Sequence, residues 1–168
     1  MGRRPKKDYD EAAVRDALRW KAERFESRGR AVTFLFQGGT VQRITAGCGI
    51  TLLLDNWFRS RISLTCRFTV FVEGEAYSCS QDDEFWEAIL IPIMGCALED
   101  ARTNKDGYLL LRFANGITIQ APEHAGGFAY EAWDVRDEDG FCVICAIGGD
   151  LAIWKPDVSM ARMRRNDS

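Results

Sequence analysis

The stretch from Asp106 to Trp154 constrains the fold more than any other. It reads DGYLLLRFANGITIQAPEHAGGFAYEAWDVRDEDGFCVICAIGGDLAIW, five short apolar runs with turn residues between them. Runs of this length, separated by Asn-Gly, Asp-Gly and Gly-Gly, predict consecutive antiparallel hairpins. Asn115-Gly116 is the strongest such signal, because both residues tolerate the positive φ of a two-residue type I′ turn. Residues Cys96–Arg102 and Tyr108–Phe113 are expected to pair across Asn104–Gly107.

The same period appears upstream. From Arg61 to Val72, Ile62, Leu64, Cys66, Phe68, Val70 and Val72 alternate with Arg61, Ser63, Thr65, Arg67, Thr69 and Phe71. That alternation predicts a sheet with one dry face and one largely wet face. Twelve residues exceed an ordinary strand, so a bend or bulge is expected within it. Ala31–Phe36 and Thr40–Ile44 are expected to form a first hairpin across Gln37–Gly39, and Glu73-Gly74 a further turn.

Two segments break the β pattern. In residues 8–28, Val14, Leu18, Ala22 and Phe25 fall within one arc at about 100° per residue, which predicts an amphipathic helix closed by Gly29. In residues 83–91, Phe85, Trp86, Ile89 and Leu90 predict a short helix after Ser80, stopped near Ile91 by Pro92. The fold class is therefore α+β. It is mainly antiparallel β, a hairpin-rich curved sheet or a sandwich or barrel-like body, with an N-terminal helix and a short helix near 83–91. The expected organisation is a basic flexible tail at 1–7, one domain at 8–156 with its β-rich body at 31–155, and a C-terminal tail at 157–168.

Charge is unevenly spread. Of a net −3, residues 1–7 carry +4 and residues 156–168 carry +1, so residues 8–155 hold −8. An acidic body repels a phosphate backbone, so a broad nucleic-acid face is not expected on the folded part. No apolar run approaches the ~20 residues of a membrane span, and the charged N-terminus lacks a secretory h-region, so no membrane association and a cytoplasmic location are expected. Six cysteines in such a setting read as reduced core residues, with Cys142 and Cys145 on opposite faces of a strand.

No nucleotide-binding loop or metal-ligand spacing occurs, so no cofactor, no metal and no catalytic residue are assigned. Two acidic clusters stand out: Asp82, Asp83, Glu84 and Glu87 beside Trp86, and Asp134 followed by Asp137, Glu138 and Asp139. Such carboxylates suit a surface that docks a cationic protein. An alternative is a small hydrolase with a carboxylate site or a site at the single histidine, His124. Another is a nucleic-acid-associated regulator contacting its target through Arg3, Arg4, Lys6 and Lys7.

Asp106-Gly107, Phe113-Ala114-Asn115-Gly116, Tyr130-Glu131-Ala132-Trp133, Val143-Ile144-Cys145, Gly148-Gly149 and Leu151-Ala152-Ile153-Trp154 follow one another in a recognisable order. This run resembles the C-terminal half of an uncharacterised bacterial family that reads D-G-x-L-x-L-x-F-A-D-G, Y-E-A-W and V-C-x-P-G-G-x-L-A-x-W. Residues 49–98 fit its upstream strands more loosely, and the N-terminal helix lies outside it. Ala146-Ile147 stands where the family carries a proline. The resemblance implies a small non-catalytic protein in the style of immunity proteins. Such a protein would bind a partner effector, a nuclease or a defence complex, through the acidic clusters. Tyr130, Trp133 and Trp154 are expected in the core rather than at a site, since Tyr130 and Trp133 fall on opposite sides of their strand.

Overall fold

A computed structural model describes residues 19, 21, 23–29, 31–36, 39–104, 106–122, 131–146 and 150–156. Thirteen strands among them form two antiparallel sheets. The seven-stranded sheet contains β1 (Phe25–Arg28), β2 (Ala31–Phe34), β6 (Phe68–Val72), β7 (Glu75–Cys79), β8 (Leu98–Thr103), β9 (Leu109–Phe113) and β10 (Thr118–Ala121), in the order β1-β2-β8-β9-β10-β6-β7. The six-stranded sheet contains β3 (Thr40–Gly47), β4 (Gly49–Asp55), β5 (Arg61–Leu64), β11 (Glu131–Arg136), β12 (Cys142–Ala146) and β13 (Leu151–Trp154), in the order β13-β12-β11-β5-β4-β3. Both orders have two ends, so neither sheet closes into a barrel.

Alternation places one face of every inner strand against a single apolar cluster that draws on both sheets. Ile62 and Leu64 of β5 and Phe68 and Val70 of β6 are all buried, as the 61–72 pattern requires. The twelve-residue run is not one strand, however. It breaks at Thr65–Arg67, and its halves enter different sheets, so the expected bend is a sheet-switching corner. The backbone N–H of Thr65 donates to the Ala132 carbonyl at 3.1 Å and holds the corner on the six-stranded sheet.

The expected hairpin of Ala31–Phe36 with Thr40–Ile44 does not form. β2 pairs with β1 and β8, whereas β3 pairs with β4. Phe34 and Phe36 are both buried and stacked at 5.7 Å, which carries the chain through the core instead of turning it back. The expected helix 8–28 is also corrected at its C-terminal end. Arg19 and Lys21 are helical, but Phe25–Arg28 is β1, paired with β2. Phe25 is buried and stacks on Phe141 at 5.8 Å, a contact with the other sheet's turn. Gly29, at φ +60°, turns a hairpin and does not cap a helix. Residues 1–18 and Trp20 lie outside the described residues.

The remaining turns follow the sequence closely, with one change of type. Glu73 and Gly74 both have positive φ and join β6 to β7 as a two-residue loop. At Asn115-Gly116 only Gly116 has positive φ, at +87°, and the Phe113 N–H bonds the Ile117 carbonyl at 2.9 Å. The loop is thus three residues long, not the two-residue form expected. Asp137–Phe141 closes in the same way, with Gly140 at φ +90°. The short helix Trp86–Leu90 passes into a 3-10 turn, Ile91–Ile93, at Pro92.

Two interactions tie the layers together. Trp133 is fully buried, meets Phe34 of the other sheet edge-on at 6.4 Å, and donates from Nε1 to the Gly107 carbonyl at 3.0 Å. Arg24, just before β1, is also buried. Its Nε donates to Asp137 Oδ2 and its Nη2 to Asp139 Oδ2, each at 2.8 Å, while its guanidinium lies 4.1 Å from the Phe58 ring centroid. Burial pushes the Asp137 carboxyl above its usual range, and Arg24 opposes that shift without cancelling it. Removing the cation would strand two carboxylates out of water, so Arg24→Met is expected to cost about 3–5 kcal/mol in urea unfolding. A loss under about 1 kcal/mol would show that the clamp carries no stability.

Gly49 opens β4 at φ +129°, and a Cβ there would lie 2.5 Å from the Leu64 carbonyl oxygen. Gly47, its register partner, has open space around it. Gly49→Ala is therefore expected to destabilise by about 1–3 kcal/mol, and Gly47→Ala by less than about 0.5 kcal/mol. Thermal melts of the two variants compare them directly.

Candidate partner-binding surface

The segment from Ser80 to Gly95 leaves the β pattern and carries an unusual surface. Ser80 N–H donates to Asp83 Oδ2 at 2.9 Å, and Asp83 N–H returns to the Ser80 carbonyl at 3.2 Å, which folds a tight turn ahead of the helix. Arg67 clamps the turn from the side, with Nη1 2.9 Å from Asp83 Oδ2 and Nη2 3.1 Å from Oδ1. That fork-on-carboxylate geometry holds the Asp83 carboxyl below its usual 3.8. Asp83 is thus a structural residue of the turn.

The helix that follows buries Leu90 and packs Trp86 and Ile89 partly against the core. Trp86 is accordingly more core than surface. Phe85, expected on the apolar face of the helix, points the other way. It is the N-cap residue at φ −106°, ψ 17°, outside the helical geometry, and it is 68% exposed. Ile91 is 62% and Met94 43% exposed. Pro92 forces the chain into a 3-10 turn that buries only Ile93. Three large apolar side chains thus reach solvent within ten residues, and the exposed carboxylates Asp82, Glu84 and Glu87 lie on the same segment.

The second acidic cluster is arranged differently. Asp137 and Asp139, expected on an acidic surface turn, have side chains only 2% and 4% exposed and are engaged by Arg24. Glu138 remains outside, 3.1 Å from Arg59. Asp134 is buried beside Arg136 Nε at 2.9 Å. This cluster is the acidic half of an internal ion-pair network, and only Glu138 faces solvent. Sequence reasoning missed it because Arg24 lies 113 residues from Asp137.

Other expectations resolve individually. Trp154, expected in the core, is half exposed at the end of β13, an edge strand. Cys79 and Cys145 are buried, Cys66, Cys96 and Cys142 are half-buried, and Cys48 is exposed at the β3–β4 tip; all are free thiols. Burial pushes the Cys66 and Cys79 thiols up to about 11. Among the described residues, no group of three or more His, Cys, Asp and Glu side chains is placed to hold a metal ion. No helix among them is long and apolar enough to cross a membrane. Arg3, Arg4, Lys6, Lys7 and His124 lie outside the described residues.

A family model spans residues 32–155, from β2 to just past β13. The chain belongs to DUF6188, a family of unknown function. The DUF6188 span is wider than the fifty-residue resemblance at the C-terminal end and takes in both sheets. It includes Phe58, Asp137, Asp139 and Phe141, while Arg24 and β1 precede it. It also includes the whole Ser80–Gly95 segment. No curated protein and no solved structure matches the chain.

The Asp83–Arg67 bond has a defined pH signature. A carboxylate held below 3.8 contributes stability above that pH and loses it as the pH falls through its folded value. Carboxyl-carbon NMR is expected to show Asp83 titrating below 3.8 and to show its midpoint rising toward 3.8 in Arg67→Gln. An unchanged midpoint would remove Arg67 as the cause.

Proposed function

We propose that this chain is a stoichiometric, non-catalytic protein-binding protein of the immunity or inhibitor type, which neutralises a partner effector by covering it. The observation that carries this reading is the exposure of Phe85, Ile91 and Met94 on one short segment together with Asp82, Glu84 and Glu87. Exposed apolar side chains bordered by like charges are the composition of an interface core with a polar rim. The acidic rim steers a basic effector, such as a nuclease or a nucleic-acid-bound defence complex, and the apolar residues supply the affinity. Asp83 and Trp86 support this surface from beneath, and Glu138, exposed and paired with Arg59, is the outward member of the second acidic cluster.

The test uses a photo-crosslinking residue at position 85 or, as a control, at position 26 in the full chain expressed in its source cell. A single protein is expected to crosslink at 85 and not at 26. Its affinity for the purified chain is expected to fall at least tenfold in Phe85→Asp/Ile91→Asp, and its toxic or defence activity to be blocked by one equivalent of wild-type chain. An equal crosslinking pattern at the two positions, or less than a twofold loss in the double variant, would count against the reading.

A further inference from the structure

The outward face of the six-stranded sheet carries a pattern that the acidic net charge conceals. Register pairing links Trp154 to Cys142, Cys142 to Arg136, Arg136 to Arg61, Arg61 to Leu53 and Leu53 to Arg43. Directly opposed residues of an antiparallel sheet share a face, so these six form one row across all six strands. Their face is the outer one, because Ile50, Leu52, Ile62, Leu64, Trp133, Val135 and Val143, which alternate with them, are buried. Arg43 and Arg61 are exposed, the Arg136 side chain is 53% exposed and Trp154 is 50% exposed. The neighbouring row pairs Asp134 with Ser63, Ser63 with Thr51 and Thr51 with Thr45. Beside the row, Thr45, Thr51, Ser63, Asp134 and Arg136 line an open groove of about 370 Å³.

Two features mark this row as a binding face. Arg61 stands directly across from Arg136, a like-charge pair that costs stability in a sheet. Asp134 pairs with Arg136 at 2.9 Å, while Arg43 and Arg61 form no ion pair among the described residues. Asp55, at the end of β4, follows the same outward alternation as Thr51 and Leu53. At about 4.8 Å per strand the row runs roughly 24 Å from Trp154 to Arg43. An extended anion that also offers flat rings satisfies both the spread guanidiniums and the exposed indole. A single-stranded nucleic acid is such a ligand, with phosphates on arginines and hydroxyls and a base stacked on tryptophan. An acidic polypeptide would use the arginines and leave Trp154 without a role.

We propose that the outer face of the six-stranded sheet binds single-stranded nucleic acid, with Arg43, Arg61 and Arg136 on the phosphates and Trp154 stacking a base. The chain's net negative charge does not prevent this, since charges farther than about 8 Å from the strand are largely screened at physiological salt.

The test measures fluorescence anisotropy of labelled twelve-residue oligothymidine and oligouridine with the full-length chain across a salt series. Arg43→Gln/Arg61→Gln is expected to lose at least tenfold in affinity and to lower the log–log salt slope by about 1.4, at roughly 0.7 per contact. Trp154→Ala is expected to lose about five- to a hundredfold at every salt with the slope unchanged. Because these positions are exposed, both variants are expected to keep the wild-type melting temperature within a few degrees. The proposal is overturned by any of four results: no saturable binding at low salt; equal binding by the arginine double variant; full loss on replacing Arg3, Arg4, Lys6 and Lys7 with the sheet variants silent; or equal competition by a twelve-residue polyglutamate, which would mark an acidic protein as the partner.

Discussion

One buried cation joins the two sheets of this protein. Arg24 stands where the chain enters β1, the edge of the seven-stranded sheet, and grips the Asp137–Phe141 turn between β11 and β12 of the six-stranded sheet. Phe58 and Phe141 face its guanidinium at 4.1 and 5.7 Å, so the charge is taken out of water on both carboxylate and aromatic partners. In a low-dielectric setting such a cluster fixes which turn can meet which strand, because any other arrangement would leave a buried charge uncompensated. The backbone bond from Leu35 N–H to the Arg24 carbonyl, at 2.8 Å, anchors the same residue to the chain just past β2. The family match begins after Arg24 and covers the acidic half of the clamp, so the cation lies on the segment that precedes the matched span.

With the layers tied in this way, the acidic character of the chain separates into two kinds. Asp83 and Asp134 pair with the exposed Arg67 and Arg136, and Asp137 and Asp139 with the buried Arg24, while Asp82, Glu84, Glu87 and Glu138 reach the surface. The outward carboxylates at 82–87 adjoin Phe85, Ile91 and Met94, whereas the outward arginines 43, 61 and 136 gather on the six-stranded sheet. A chain of net −3 thus presents an acidic, apolar surface and a basic sheet face. Neither is visible in a sum of charges.

Particular elements show why some of this was legible in the sequence and some was not. The hairpin tips at Glu73-Gly74, Asn115-Gly116 and Asp139-Gly140 stand where the glycines predict them, because positive φ is a local demand. The alternation of Ile62, Leu64, Phe68 and Val70 predicted burial correctly, yet not that Thr65–Arg67 would send its halves to different sheets. Phe25 falls on a helical arc in the sequence, and only its long-range stacking with Phe141 goes with its place in β1. Of the candidate site, Asp82, Glu84 and Glu87 were legible as exposed acid at a helix start. Phe85 and Ile91 were not, since each lies just outside the five helical residues where periodicity assigns a face.

What the sequence determined by itself was local: strand and turn positions across most of the described body, the short helix ended by Pro92, and the alternation that separates core from surface. These depend on steric and hydrogen-bonding preferences spanning a few residues. The tertiary structure alone decided which strands share a sheet, which carboxylates are internal, and which arginines stand side by side. Those outcomes rest on pairings such as Arg24 with Asp137 and Arg61 with Arg136, between residues far apart in the chain, whose free energies exist only once both sheets close on the same core.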